Sequence, residues 1–547
     1  MPCNHGGSLE RKGLYRSQGH WGDATLADYW RMAVLCTPEK VAVVDSHDKV
    51  YTYAQIDDEA SRLACFLAAT GVGPGDVVSF QLPGWAEFFP IYVACLKVGA
   101  VANPVLPNYR LCEVAYILNK CRSKVVFLPA CFRRYKFTRM IDALRARVPT
   151  LNEVVVVEKG QRCDDGFMTL SDVLRDYAPL QVEGRCSADD LAAILFTSGT
   201  ESRPKGVMLS HNNLIASEKA FNAAFHVSYL DVMLMPAPLA HATGFLHSVI
   251  SPFMACAQTV LQDVFCPDEC VGLIEKHRCT YMMGATPFLQ GVLDAMDGSK
   301  ADVSSLRLFL CGGAPVPRKM AERSLYAGIK LISVYGATES APHTATRLYD
   351  PIEKIIHTDG LPLPGIEVKV VDDMRHEVQK GVEGEEVSRG PNVFMGYLDE
   401  PELTRDALDE DGWYYSGDLC TMDEDGYIRI TGRKKDVIIR GGENISSKEI
   451  EELLLQHPKV REVAVVAMPD ERLGQKACAY VVPVDKGDPI SFAEMVEFFD
   501  GLCVAKFKYP ERLEVVDGLQ KTPSGKVQKS LLRQDVAAKV MGVKRGE

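Results

Sequence analysis

Apolar residues recur along this chain in two rhythms. ATLADYWRMAVLC (24–36) and TYAQIDDEASRLACFLAATG (52–71) space them as a helix does, and the second run closes on Gly71. KVAVVDS, VVSFQLP, SKVVFLP and EVVVVEK are β-branched runs of strand length, and WAEFFPIYVACLKVGA reads as a helix between two strands. To about residue 190, strands therefore alternate with helices over short turns, the signature of a layered α/β fold with parallel strands.

The alternation continues through LAAILFT (strand), SHNNLIASEKAFNAAF (helix), DVMLMPAP (strand), LRLFLCGG and KLISVYG (strands around a helical VPRKMAERSLYAG). From about residue 365 the pattern turns β-rich, with GIEVKVVD, GEEVSRGP and GWYYSGDLCTMDEDGYIRITGR punctuated by Gly and Asp. The last 110 or so residues read as a separate α+β unit. Its first helix is announced by Ser446 with Glu449 as a capping box and Ile445 with Ile450 as a staple; Ser491 with Glu494 announces another. The charged RKKD (433–436) is the expected junction. The expected architecture is thus a large N-terminal domain, 1–434, of α/β layers plus a β-rich subdomain, and a small mobile α+β domain, 435–547.

Composition narrows the function. An apolar fraction of 47% and a charged fraction of 24% fit a water-soluble globular chain. A net charge of −12 argues against nucleic acid as a partner, so any anion site needs a local cluster of cations. The 17 cysteines form no CxxC pair and are expected as buried, reduced thiols rather than metal ligands. No secretory signal opens the chain, and its longest apolar stretch is interrupted by Lys97 and Gly99, so no transmembrane helix is expected and a cytoplasmic location is.

LFTSGTESRPKGVMLSH (195–211) concentrates hydroxyls, two glycines and Lys205 after a strand. Hydroxyls and backbone N–H groups can donate to phosphate oxygens, and lysine adds charge. The order Pro204-Lys205-Gly206 is not that of a Walker loop, and the stretch alone fits a solvated turn equally well. Its company decides. CGGAP (311–315), VYGATES (334–340), YSGD ending at Asp418, GRKKDVIIRGGENI and KTPSGKVQK (521–529) each place glycines, hydroxyls, carboxylates or cations at turns.

Together, in this order, TSGT…PKG, YGATE, YSGD, GRKKD, GGENI and SGK resemble the adenylate-forming superfamily of acyl-CoA synthetases, from about residue 25 to 535. WGDATLADYW, QLPGWAEF, PAPLAHATGFLH and SRGPNVFMGYLDEPE are most similar to bacterial short- and medium-chain fatty-acyl-CoA synthetases. The resemblance implies an AMP-forming ligase using ATP, Mg²⁺ and coenzyme A on a fatty acid. It implies that Thr197, Ser198, Gly199, Thr200 and Lys205 line a loop over the β- and γ-phosphates. Gly312, Gly313 and Ala314 would flank adenine, with Tyr335 stacking on it and Gly336 beside it. Thr338 would contact the α-phosphate, Glu339 would hold Mg²⁺, and Asp418, supported by Arg433, would bind the ribose hydroxyls. Lys526 would bridge the α-phosphate and the acyl carboxylate, then swing away about a hinge at Lys435 as Gly441 and Gly442 move in to shape the pantetheine tunnel.

His241 matches a gate near the substrate carboxyl, with a purely structural ring as the alternative. The implied acyl pocket draws on Ala242–Phe245 and Gly284–Phe288, a wall without charge that favours a plain alkyl chain. One departure stands out: Glu201-Ser202 replaces the Thr-Gly that the family loop usually carries. Two rival readings remain at this stage. One is an acyl-AMP ligase serving a carrier protein, against which GGENI counts; the other is a decayed binding module, against which Lys526, Glu339 and Asp418 count. A brief peripheral membrane contact through Lys539, Lys544 and Arg545 would suit a lipid substrate, and a solvated end is the plainer expectation.

Overall fold

The computed structural model describes residues 9–160, 166–179, 186–197, 204–312, 316–440, 443–470, 472–502, 504–522 and 525–540. Two compact units result. One gathers the chain up to Thr197, Pro204–Val368 and Ser388–Tyr414; the other gathers Lys369–Val387 and Tyr415 onward.

The first unit holds two large sheets. One runs in the order Gly396–Tyr397, Gly206–Ser210, Leu191–Phe196, Val101–Pro104, Val77–Phe80, Val125–Pro129, Glu153–Val157. Its last five strands are parallel neighbours. Their unbroken apolar runs follow from burial on both faces: Val78, Phe80 and Phe127 enter one core while Val77, Val126 and Leu128 enter another. The nine-stranded sheet carries Val232–Met235, Tyr281–Gly284, Leu308–Gly312 and Lys330–Ala337 as successive parallel neighbours, with antiparallel strands at both edges.

GVMLS was not expected as a strand. Gly206–Ser210 nevertheless pairs antiparallel with Leu191–Phe196, and Val207 and Leu209 are buried. The strands flanking residues 197–205 are therefore hydrogen-bonded neighbours, and the helix His211–Phe225 begins one element later, capped by Ser210 and Asn213. The short alternation is hidden among polar neighbours, which is why periodicity did not expose it.

The second unit holds a four-stranded sheet, Glu367–Val371, Gly384–Arg389, Tyr414–Met422, Ile428–Arg433, and a five-stranded one built on Val460–Asp470 and Gly474–Pro483. Ile438, Ile445, Ile450, Leu454, Val481 and Phe499 form its main core. The box at Ser491 and Glu494 is complete. At Ser446 only half forms: Ser446 Oγ accepts from the Glu449 N–H, while the Glu449 carboxylate takes Lys508 at 2.7 Å, a charged partner outweighing a backbone one. RKKD, the expected junction, lies inside this unit. Lys434 meets Glu385 at 2.9 Å, and Asp436 meets Arg533 at 2.7 Å.

Candidate functional site

In the first unit, four parallel strands bring their carboxyl ends to one sheet edge, where open α/β sheets bind ligands. Two of these ends lead into the segments expected to form the acyl pocket. After Val232–Met235 comes His241, whose Nδ1 accepts the Thr243 N–H at 3.2 Å, which puts the neutral ring's proton on Nε2. Gly244 must be glycine, since a Cβ would lie 2.3 Å from Pro238 O. Phe245 is fully buried, its ring 5.0 Å from Tyr92. After Tyr281–Gly284 comes Phe288, edge-on to Phe265 at 4.8 Å. Gly284 pairs with Cys311, whose thiol lies 3.9 Å from the Thr286 hydroxyl, so the expected pocket and nucleotide segments leave adjacent strands.

The other two ends carry the motifs expected to meet the nucleotide. Gly312 pairs with Val334, and a Cβ there would lie 2.9 Å from Val334 O. Tyr335 stands edge-on to His343 at 5.0 Å. Gly336 sits at a register shift, where a Cβ would come 2.2 Å from Ala341 O. Thr338 and Glu339 occupy the turn that follows. Glu339 is buried; its Oε1 accepts from the Tyr397 hydroxyl at 2.8 Å, and its carbonyl accepts from the Phe394 N–H. Burial, and then the carboxylate charge of Glu339, push the Tyr397 phenol well above its ordinary pKa, so it stays a donor. On the sheet beside it, the Thr197 N–H donates to Lys205 O at 3.0 Å, and Lys205 Nζ rests 4.9 Å from the centre of the Tyr397 ring. Ser198, Gly199, Thr200, Glu201, Ser202, Gly313 and Ala314 lie outside the described residues.

The second unit orders its own motif residues. Asp418 pairs in register with Arg433, whose Nε lies 2.8 Å from Asp418 Oδ1. Arg440 grips Glu511 through two nitrogens at 3.1 and 3.0 Å. The expected cationic cluster is therefore shared out among carboxylates distant in sequence. Lys435 lies in the turn Lys434–Asp436; Gly441 and Gly442 are outside the described residues. Lys526 is exposed on a tight turn: its N–H donates to Thr522 Oγ1 at 3.1 Å, and its carbonyl accepts from the Thr522 N–H at 2.7 Å.

Residues 30–398 match the family model of AMP-binding enzymes, and residues 449–526 match the C-terminal domain of AMP-binding enzymes. The chain belongs to the AMP-binding enzyme family. The medium-chain fatty-acid–CoA ligase of Escherichia coli K12 is 53% identical over 527 residues, 96% of this chain and 93% of that protein. A 2,3-dihydroxybenzoate-AMP ligase of Bacillus subtilis is 30% identical over 96% of both chains. Among solved structures, ATP-bound MatB from Rhodopseudomonas palustris aligns with TM-score 0.84 at 31% identity, covering 93% of this chain and 98% of that one.

This AMP-binding enzyme carries site features that the motifs did not flag. Tyr397 is one; Glu218 and His247 are another. These two are fully buried and 2.9 Å apart, Glu218 on the helix His211–Phe225 and His247 on a π-helical turn starting at Phe245, with Phe221 stacked on the imidazole at 4.2 Å. Among the described residues no group of three or more His, Cys, Asp or Glu could hold a metal alone. A single buried acid, Glu339, suits Mg²⁺, which binds through one or two carboxylates together with substrate phosphates.

Proposed function

We propose that the protein is an ATP-dependent fatty-acyl-CoA ligase acting on short- to medium-chain acids. The observation that carries this reading is the meeting of Glu339 and Lys205, from two motifs about 130 residues apart, on one side chain, Tyr397. The relative named for medium-chain fatty acids supports the substrate class.

A carboxylate is a poor acyl donor because its leaving group would be oxide. One carboxylate oxygen attacks the α-phosphorus of ATP, the P–O bond to pyrophosphate breaks, and acyl-AMP forms. The thiolate of CoA then attacks the acyl carbon, and AMP leaves with the C–O bonding pair. In the first step two anions converge, so fixed positive groups supply the catalysis. Lys205 would meet the outer phosphates, and Lys526, exposed on its turn, would meet the α-phosphate and carboxylate. Mg²⁺, held by Glu339, would neutralise phosphate charge. Asp418, oriented by Arg433, would accept hydrogen bonds from the ribose hydroxyls. The small domain, 435–547, would turn about Lys435 between the half-reactions, clearing Lys526 for CoA.

Among the described residues no helix is long and apolar enough to cross a membrane. We place the enzyme in the cytoplasm, where ATP and CoA are abundant, with small-molecule substrates and no nucleic-acid partner; weak contact with the inner membrane face is compatible with the lipid substrate. The test is a coupled assay of AMP and acyl-CoA across saturated acids of two to sixteen carbons. Turnover peaking between about six and twelve carbons is expected. Acyl-AMP release without thioester would favour a carrier-dependent ligase, and no turnover with any acid would overturn the proposal.

A further inference from the structure

Two parts of the nucleotide half-site, the acid Glu339 and the loop lysine Lys205, converge on Tyr397. The Tyr397 hydroxyl donates to Glu339 Oε1 at 2.8 Å, and the tyrosine is only 6% exposed. The face of the same ring receives Lys205 Nζ at 4.9 Å. Neither contact is incidental, because the backbone holds the ring in place. Tyr397 pairs with Val207, two residues beyond Lys205. Its N–H donates to Thr404 Oγ1 at 2.9 Å, and its ring packs edge-on against Phe394 at 4.9 Å. Phe394 in turn donates its N–H to the carbonyl of Glu339. At Gly396 (φ +132°) a Cβ would come 2.8 Å from Thr404 Cγ2, so the strand reaches this position only through glycine.

From this we infer that Tyr397 is a positioning residue for the metal–phosphate end of the nucleotide: its hydroxyl fixes one oxygen of Glu339 so that the other faces Mg²⁺, and its ring parks the Lys205 ammonium until phosphate displaces it. The inference rests on the assignment of Glu339 to Mg²⁺ given above. The physical logic is one of pre-organisation. A lone carboxylate ligand has two oxygens and a rotatable stem, and a donor on one oxygen removes the competing orientations. An ammonium over a ring face is held more weakly than one against phosphate, so the ring yields the lysine when ATP arrives.

Tyr397→Phe keeps the ring and its packing and removes only the donor. Mn²⁺, a paramagnetic stand-in for Mg²⁺, is titrated into the full-length enzyme with ATP and read by electron paramagnetic resonance. ATP binding without metal is measured separately by calorimetry. Tyr397→Phe should weaken Mn²⁺ in the ATP complex about tenfold, the order expected when the partner of a ligating group is lost. Metal-free ATP affinity should stay as in wild type, while the thermal midpoint should fall modestly because Glu339 loses a buried donor. Glu339→Gln should weaken Mn²⁺ at least as much, and the double variant no further than Glu339→Gln alone. Wild-type Mn²⁺ affinity in Tyr397→Phe, or losses that multiply in the double variant, would overturn the inference while leaving the ligase reading intact. Failure of Glu339→Gln to affect Mn²⁺ would instead remove the metal assignment and this inference with it.

Discussion

Acid should destabilise this enzyme through one histidine that begins the helix after the strand Gly206–Ser210. His211 is 4% exposed; its Nδ1 accepts the Leu26 N–H at 3.3 Å, and its Nε2 lies 3.7 Å from Cys186 Sγ. Burial lowers its pKa from 6.5 to about 4, against the opposing pull of Asp190 and Asp28. The first turn of a helix is also an unfavourable place for a cation. The sign follows directly. In the folded state the ring stays neutral, whereas in the unfolded chain it takes a proton as pH falls through 6.5. Stability is therefore full above 6.5, is lost on acidification, and stops falling from this cause below about 4. At ~1.36 kcal/mol per pH unit the whole loss is about 3 kcal/mol, most of which has gone by pH 4.5. That is a large share of a typical folding stability of about 5–15 kcal/mol. The assay is urea unfolding at pH 7.5, 6.5, 5.5 and 4.5 for wild type and His211→Gln, whose amide oxygen can still accept from Leu26. The variant should be less stable at pH 7.5 because ring packing is lost, and its stability should fall less steeply, so the gap narrows by about 2 kcal/mol. A gap that stays constant across the series would refute the reasoning, since acids elsewhere act on both proteins alike.

Lys526→Ala should abolish pyrophosphate release while acyl-CoA formation from supplied acyl-AMP persists; equal loss of both half-reactions would contradict the two-position account. Lys435→Pro should impair thioester formation more than adenylation, read by the same two assays, because proline stiffens the proposed hinge. Gly336→Ala drives a methyl to within 2.2 Å of Ala341 O, so the edge strand must shift by about 1 Å. A stability loss of about 2–3 kcal/mol in urea unfolding, with ATP binding weakened by calorimetry, is expected. Gly244→Ala meets Pro238 O at 2.3 Å, and acid turnover should fall at every chain length rather than at the longest alone.

Much of the fold was legible because its signals are local. TYAQIDDEASRLACFLAATG becomes the helix Tyr53–Ala69 with a full capping box, and Gly71 follows at φ +80°. Glycine-rich strand ends also announced themselves: Gly312 and Gly336 face backbone oxygens that leave no room for a side chain. What stayed hidden depends on partners far away in sequence. Glu449 abandons its cap for Lys508, and Arg440 of the expected cationic cluster is claimed by Glu511, 71 residues on. A charged stretch read in isolation shows its own charges and not the carboxylates that will neutralise them.

The same distinction explains why the groups proposed to bind the nucleotide stood out in the sequence and their supports did not. Glu339, Lys205 and Asp418 stand in motifs of glycines and hydroxyls, because flexible backbone and small donors are what a phosphate or ribose requires. Tyr397 stands in a two-residue strand after a glycine, and nothing in its neighbourhood suggests a nucleotide. Its importance comes from register: pairing with Val207 sets it two residues beyond Lys205, and the Phe394 bond to Glu339 brings the acid within reach of its hydroxyl. The same holds for Glu218 and His247, a hydrogen-bonded couple fully buried, with His247 on the turn that begins at Phe245. Removing one member would strand the other's polar atoms in apolar surroundings, which is costlier than removing an exposed charge. Chemistry at a ligand is written in residue types, whereas the rigidity that makes it effective is written in which strands become neighbours.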